Sequence, residues 1–337
     1  MNRITSPHLP RARAILDAFA SEGSGSRLSA KDQAKRQRSP GGWPVPRDRL
    51  AAELRARLDG ATLPHQRGTS YCGCAAFLYC VLEDRPDWYV AYATALWRGE
   101  PFTFKNVAGR TSVSVAEGTR GALSQIQSGK ARGGSISDLD WMTMASLSAA
   151  TRWSGGAPTS ARPTDRGASI TWPWMVEQWF ASVGAPAKLN SVGVGLLKSS
   201  MEELLELLDR WAGYWLVIQI DASLLYGGPS SIQQRHWVVI DPETPPMIQP
   251  AGQAAWFDPR TFSRLRRDRR ATALRQVNDA HAGQAVVDAE DREDQRSATR
   301  LRVVSWGNEH HPLHGATIGN VADRFYGGYA FPRFGRT

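Results

Sequence analysis

Gln66 and Cys72 stand six residues apart in the run Gln66-Arg67-Gly68-Thr69-Ser70-Tyr71-Cys72-Gly73-Cys74-Ala75-Ala76-Phe77, and His236 opens the apolar stretch His236-Trp237-Val238-Val239-Ile240 far downstream. A thiol acts as a nucleophile when a base holds its proton, a positive local field favours thiolate, and donors receive the oxyanion at the attacked carbonyl. The small, helix-tolerant residues that follow the Gly-Thr-Ser loop place Cys72 at a helix start. Unpaired amides and the positive end of the helix dipole favour the charged sulfur there, and the Cys72 amide can point at an oxyanion. Gln66 can fold back to offer its side-chain amide as a second donor, and Gly73 keeps the approach clear of a side chain. Downstream, the alternation of large apolar residues after His236 predicts a strand with the imidazole at its first position.

This pattern resembles the papain-like superfamily of cysteine peptidases, in which a glutamine six residues before the cysteine lines the oxyanion hole and the cysteine heads a central helix. It is most similar to bacterial peptidases carrying Cys-Gly-Pro-Ala-Ala, such as the leader peptidase domains of bacteriocin exporters, with Cys74 here in place of the proline. The resemblance implies that His236 is the base, facing Cys72 across a cleft between two lobes. It covers the motif regions and the helix-then-strand order, about half of the chain. The plainer alternative is that Cys72, Cys74 and Cys80 are small core residues.

A third residue should accept the other imidazole N–H and orient the ring. Papain-like enzymes place an Asn or Asp some way after the histidine. The first choice here is Asp258, in Trp256-Phe257-Asp258-Pro259, which is similar to the Asp-Pro ending of the exporter-type pattern. Asp241 is second, because an odd offset from His236 along one strand points it to the opposite face. Val303-Val304-Ser305-Trp306-Gly307 resembles the Asn-Ser-Trp-Gly segment of papain-type enzymes, with Val304 where the orienting Asn would stand. On that alignment Asp258, Asn308 or no residue fills the role. A buried strand ending in a Trp-Gly turn explains the same residues.

The chain has 337 residues, 42% of them hydrophobic, enough for one large or two modest domains with a sizeable core. It shows no run of 18 apolar residues and no Sec-type signal pattern, so no membrane span is expected. Cys72, Cys74 and Cys80 fall too close together for a framework of long-range disulfides, which suits a reducing compartment. The net charge of +9 comes mainly from scattered arginines, with no zinc-finger spacing, RNA-binding aromatic pair or phosphate loop, so the composition argues against nucleic acid as the partner. The one dense cluster, Arg264, Arg266, Arg267, Arg269 and Arg270, reads as a solvated helix face or a site for an acidic partner. His310, His311 and His314 lack the accompanying ligands of a zinc site and read as exposed loop imidazoles.

The elements that must position these groups can be placed by period and caps. Residues 1–42 are polar and read as a weakly ordered leader or delivery segment, with the hydrolase domain at 43–337 and a charged insertion at about 264–299. Helices are expected from Pro46 with Leu50, Leu54 and Leu58 on one stripe, from the cysteine to about Leu82, from Pro86 to Trp97, from Asp138 to Leu147 and from Pro173 to Ser182. Ser200 with Glu203 is a capping-box signature for a further helix ending near Trp211. Residues 107–137 read as a Gly- and Ser-rich loop. Strands are expected over Tyr214–Asp221, His236–Asp241 and Arg300–Trp306, and the closing aromatics Phe325, Tyr326, Tyr329, Phe331 and Phe334 read as a final irregular strand.

The fold class expected is therefore α+β, a papain-like two-lobed arrangement with an N-terminal helical lobe bearing the cysteine and a C-terminal antiparallel lobe bearing the histidine. The activity expected is a cysteine protease acting on a protein substrate through a Cys72–His236 acyl-enzyme, with Gln66 and the Cys72 amide holding the oxyanion and no cofactor or metal needed. A glutamine or asparagine deamidase or an acyltransferase shares this chemistry. A non-catalytic binding module using the Arg-rich insertion is the alternative of another class. By analogy with secreted bacterial effectors and toxins, the chain would be cytoplasmic in its producer, enter a target cell without a Sec signal, and meet an immunity or inhibitor protein.

Overall fold

The computed structural model describes residues 4–22, 29–67, 69–104, 112–113, 123, 136–151, 171–192, 198–229, 235–275, 280–305, 307–313 and 317–335. The expected loop at 107–137 lies almost entirely outside them, as do Trp306 and His314. The protein mixes helices with antiparallel sheet and divides into two compact units, Met1–Pro186 with Trp306–Asn308 and Arg333–Thr337, and Ala187–Ser305 with Glu309–Pro332.

The first unit is helical: α1 Leu9–Ser21, α2 Ala30–Gln37, α3 Arg47–Leu58, α4 Cys72–Asp84, α5 Pro86–Arg98, the short strand pair β1 Phe102–Thr103 and β2 Ser112–Val113, α6 Asp138–Thr151 and α7 Pro173–Ser182. Helix α4 packs on α5, α6 and α7, and Phe77 sits among Phe104, Trp179 and Phe180. Its far end is tied by the returning tail: the buried Asp84 carboxylate accepts from the Phe334 N–H at 2.8 Å and pairs with Arg333 at 2.7 Å.

The fold does not begin at Trp43. Helix α1 carries Ala12, Leu16 and Phe19 on one buried face and packs on α3 and α5. Phe19 meets Trp97 edge-on at 5.1 Å, with the Arg47 guanidinium over both rings. The stripe's spacing of four and three residues is that of an amphipathic helix, and the polar run at 21–42 begins only after it.

The second unit contains β3 Leu189–Asn190, α8 Met201–Asp209, β4 Tyr214–Asp221, α9 Ser223–Tyr226, β5 Arg235–Ile240, β6 Met247–Gln249, α10 Pro259–Leu274, α11 Ala280–Gln295, β7 Ala298–Arg300, β8 Arg302–Ser305, β9 Asn308–Pro312, α12 Ile318–Ala322 and β10 Phe325–Pro332. Six strands form one sheet in the order β3-β10-β4-β5-β8-β9, and β6 pairs with β7. The closing aromatics from Phe325 to Phe331 form a strand whose register shifts between Phe325 and Gly328, as expected of an irregular one, but it is central: β10 lies between β3 and β4, and Tyr329 stacks on Trp237 and Phe331. Helix α8 has the expected capping box, and Leu207 lies over Gly328, where a Cβ would come within 2.7 Å of Ile218. The expected strand Arg300–Trp306 is two: β7 ends at Arg300 and β8 starts at Arg302.

The charged insertion is a pair of packed helices, α10 and α11. The buried Arg266 bonds Glu202 at 2.7 Å, Asp291 at 2.8 Å and Asp294 at 2.7 Å, while Arg269 pairs with Asp294 and Arg270 with Asp291. The acidic partner of these three arginines is the chain itself; Arg264 and Arg267 stay exposed.

If residues 9–21 belong to the core, Phe19→Ala should lower the unfolding free energy by about 3–5 kcal/mol, the cost of truncating a buried aromatic. Urea unfolding measures it, and a change below about 0.5 kcal/mol, normal for a detached surface segment, would contradict the packing described.

Candidate functional site

Cys72 is the first residue of α4, preceded by Tyr71 as an N-cap that makes no side-chain capping bond. The N-cap side chain therefore does not occupy the first-turn amides, which lie at the sulfur's end of the helix. The three cysteines are free thiols with different surroundings: Cys72 is half-buried, whereas Cys74 and Cys80 are fully buried. Burial first, then the nearby Asp84 carboxylate, pushes the Cys80 thiol well above its usual pKa, so it stays protonated and inert. Gly73 serves a purpose other than the one its position suggested. It is buried, and a Cβ there would overlap the Thr171 methyl, so a second chain segment fills the space beside it.

The loop carrying Gln66 is held from behind by charge. Arg57 on α3 and Asp140 on α6 form an ion pair in which each side chain is 3% exposed, beside the His65 backbone. Burial raises the Asp140 carboxyl, and Arg57 opposes that shift. Gln66 itself is buried, with its carbonyl accepting from Thr69 N–H and Oγ1. Its side-chain oxygen has no hydrogen-bond partner among the described residues. An amide buried in that condition costs about 1–3 kcal/mol, and the two ends of an amide are interchangeable in assignment. The adjacent His65 is driven down to a pKa of about 4 by burial and by the positive charges of Arg67 and Arg57.

In the sheet-bearing unit, His236 is the second residue of β5, opposite Ile220 of β4, and is 6% exposed. Its Nε2 lies 2.7 Å from the Ser305 Oγ at the end of β8. The register Val239↔Val304 puts Val304 on the other face of the sheet from His236, while Ser305 shares the histidine's face. Val304 could not take the Asn role whatever its side chain. The side chain of Asn308 lies outside the described residues.

Asp258 does not serve as the orienting carboxylate. It is the N-cap of α10, with Oδ1 accepting from the Thr261 N–H at 2.9 Å and Oδ2 from the Thr261 hydroxyl at 2.7 Å. Burial alone would raise this carboxyl, but the Thr261 bonds outweigh it and lower its pKa. The sequence Asp-Pro-x-Thr is a helix start, with the Pro at the first helical position, and that local chemistry explains the dipeptide. Asp241, as its odd offset required, serves another residue. It accepts from the Glu243 N–H at 2.8 Å and from His310 Nδ1. Burial would raise Asp241, but these bonds prevail and hold it below the ordinary carboxylate value. His310 is thus bound rather than a loose loop imidazole, and its backbone is left-handed at φ 59°. The sequence signal for it was weak, since a histidine 69 residues from its partner carries no local pattern.

No membrane-crossing helix and no cluster of three or more metal-ligating side chains occurs among the described residues. Comparison with protein-family models, with curated proteins and with solved structures returned no match. The chemistry of these side chains must therefore carry the functional argument.

Two outcomes check this geometry. Limiting iodoacetamide on the folded protein should label Cys72 well ahead of Cys74 and Cys80 by peptide mapping; equal labelling would contradict their burial. For His65, the unfolded ring takes up a proton near the usual 6.5 and the folded ring only near about 4. Stability is therefore full above about 6.5 and is lost as pH falls toward about 4, where the folded ring is forced to charge between two arginines. His65→Gln should flatten the dependence of the melting temperature over that window.

Proposed function

We propose that the chain is a papain-like cysteine hydrolase in which Cys72 is the nucleophile and His236 the base. The observation that carries the reading is the contrast among the three thiols, of which the one spaced six residues from Gln66 is both partly exposed and at an uncapped helix start. A structural cysteine needs neither property.

In this reading the Cys72 thiolate attacks an amide carbonyl of a protein substrate. A sulfur–carbon bond forms as the carbonyl π pair moves to oxygen, and the Cys72 amide with the Gln66 side chain receives that oxyanion. The His236 imidazolium then gives its proton to the departing nitrogen as the carbon–nitrogen bond breaks. Water, deprotonated by His236, adds to the thioester and releases the carboxylic acid and the thiol. A peptide bond and a glutamine or asparagine side chain pass through the same acyl-enzyme and differ only in the leaving group.

The test is mass spectrometry of cell extract incubated with the protein or with Cys72→Ala. New peptide termini mark proteolysis, and a gain of about one mass unit on Gln or Asn marks deamidation, since both end in the same acyl hydrolysis. His236→Ala should abolish the same products and slow Cys72 alkylation at pH 6 by at least about tenfold, because the imidazolium no longer favours the thiolate. Products unchanged in Cys72→Ala would end the proposal.

A further inference from the structure

We infer that Ser305 is the positioning residue of His236, its neutral hydroxyl taking the place that an amide or carboxylate fills in the usual triad. The inference deepens the hydrolase reading and rests on it. The Ser305 Oγ lies 2.7 Å from His236 Nε2, and each residue is only 6% exposed. At that burial an unmade hydrogen bond would be costly, so the contact holds the ring.

The sheet dictates the placement. Continuing the β5–β8 register sets Ser305 opposite Val238, two residues from His236 and on the same face. On the other side Ile220 faces the histidine across β4. The histidine thus lies between two flanking strands, with the Ser305 hydroxyl on β8 at hydrogen-bonding distance from its ring. Meanwhile Asp258 caps α10, and Asp241 lies on the opposite parity with His310 as its partner.

A hydroxyl has one proton and two lone pairs, so it can accept the Nε2–H of a neutral imidazole. Accepting it fixes the tautomer in which Nδ1 carries the lone pair, and Nδ1 becomes the atom that takes and returns the proton in the acyl-transfer steps. Unlike a carboxylate, the hydroxyl adds no negative charge behind the ring. Ser305 therefore contributes orientation, with little stabilisation of the imidazolium.

The experiment uses full-length protein with ¹⁵N-labelled imidazoles and long-range ¹H–¹⁵N spectra near neutral pH, the His236 signals identified by their loss in His236→Gln. His236 is expected as the Nε2–H tautomer in the unmodified protein, a measurement that needs no variant. Ser305→Ala should give a mixture of tautomers and slow Cys72 alkylation about tenfold, the worth of one neutral hydrogen bond. Ser305→Thr should restore both. Ser305→Asp should keep the tautomer and move the His236 titration midpoint up by at least about one unit, as a carboxylate neighbour does. An Nδ1–H tautomer in the unmodified protein, or a tautomer unchanged in Ser305→Ala, overturns the role of Ser305. If the tautomer follows Ser305 while alkylation ignores His236→Ala, the hydrolase reading falls instead, and the positioning role with it.

Discussion

The buried pair between Arg57 and Asp140 is the constraint on which the surroundings of Cys72, the proposed nucleophile, depend. Two charges removed from water are tolerable only when each is met, and removal of either partner typically costs about 3–5 kcal/mol. Here the ion pair joins α3 to α6, and the loop that ends at Cys72 passes beside it at His65. Gln66 follows His65 directly, and its backbone carbonyl is held by the Thr69 N–H and hydroxyl. The arginines that surround His65 keep the ring neutral, which spares the loop a third positive charge.

Helix α4 is the second determinant. It is apolar on nearly every side because α5, α6 and α7 all pack against it, and Asp84 at its far end receives the returning tail. Its partly exposed polar residues are Cys72 in the first turn and Glu83 in the last. A closely packed element with an accessible first turn would suit a nucleophile, whose angle of attack must be held closely.

Much of this was legible in the sequence because the signals were local. Ser200 with Glu203 announced α8, Pro173 opened α7, and the β-branched and aromatic run Tyr214–Asp221 marked β4 to the residue. Helix α1 was equally readable in Ala12, Leu16 and Phe19, and was obscured only by the polar segment that follows it. What could not be read was the pairing of distant residues. Ser305 and His236 are 69 positions apart, and so are His310 and Asp241. Both contacts are set by strand order and parity, which no single stretch encodes. Asp258 misled for the complementary reason: a strong local motif, the helix cap, can resemble a catalytic one.

The six-stranded sheet ends at β3, two residues long, and at β9, where His310 turns the backbone left-handed and Pro312 lacks an N–H. Short, kinked or proline-bearing edges give an incoming extended chain few main-chain partners. This unit is thereby guarded against accretion of like strands into larger sheets. A peptide would have to be gripped here through its side chains, and such recognition reads residue identity more than it reads an extended backbone.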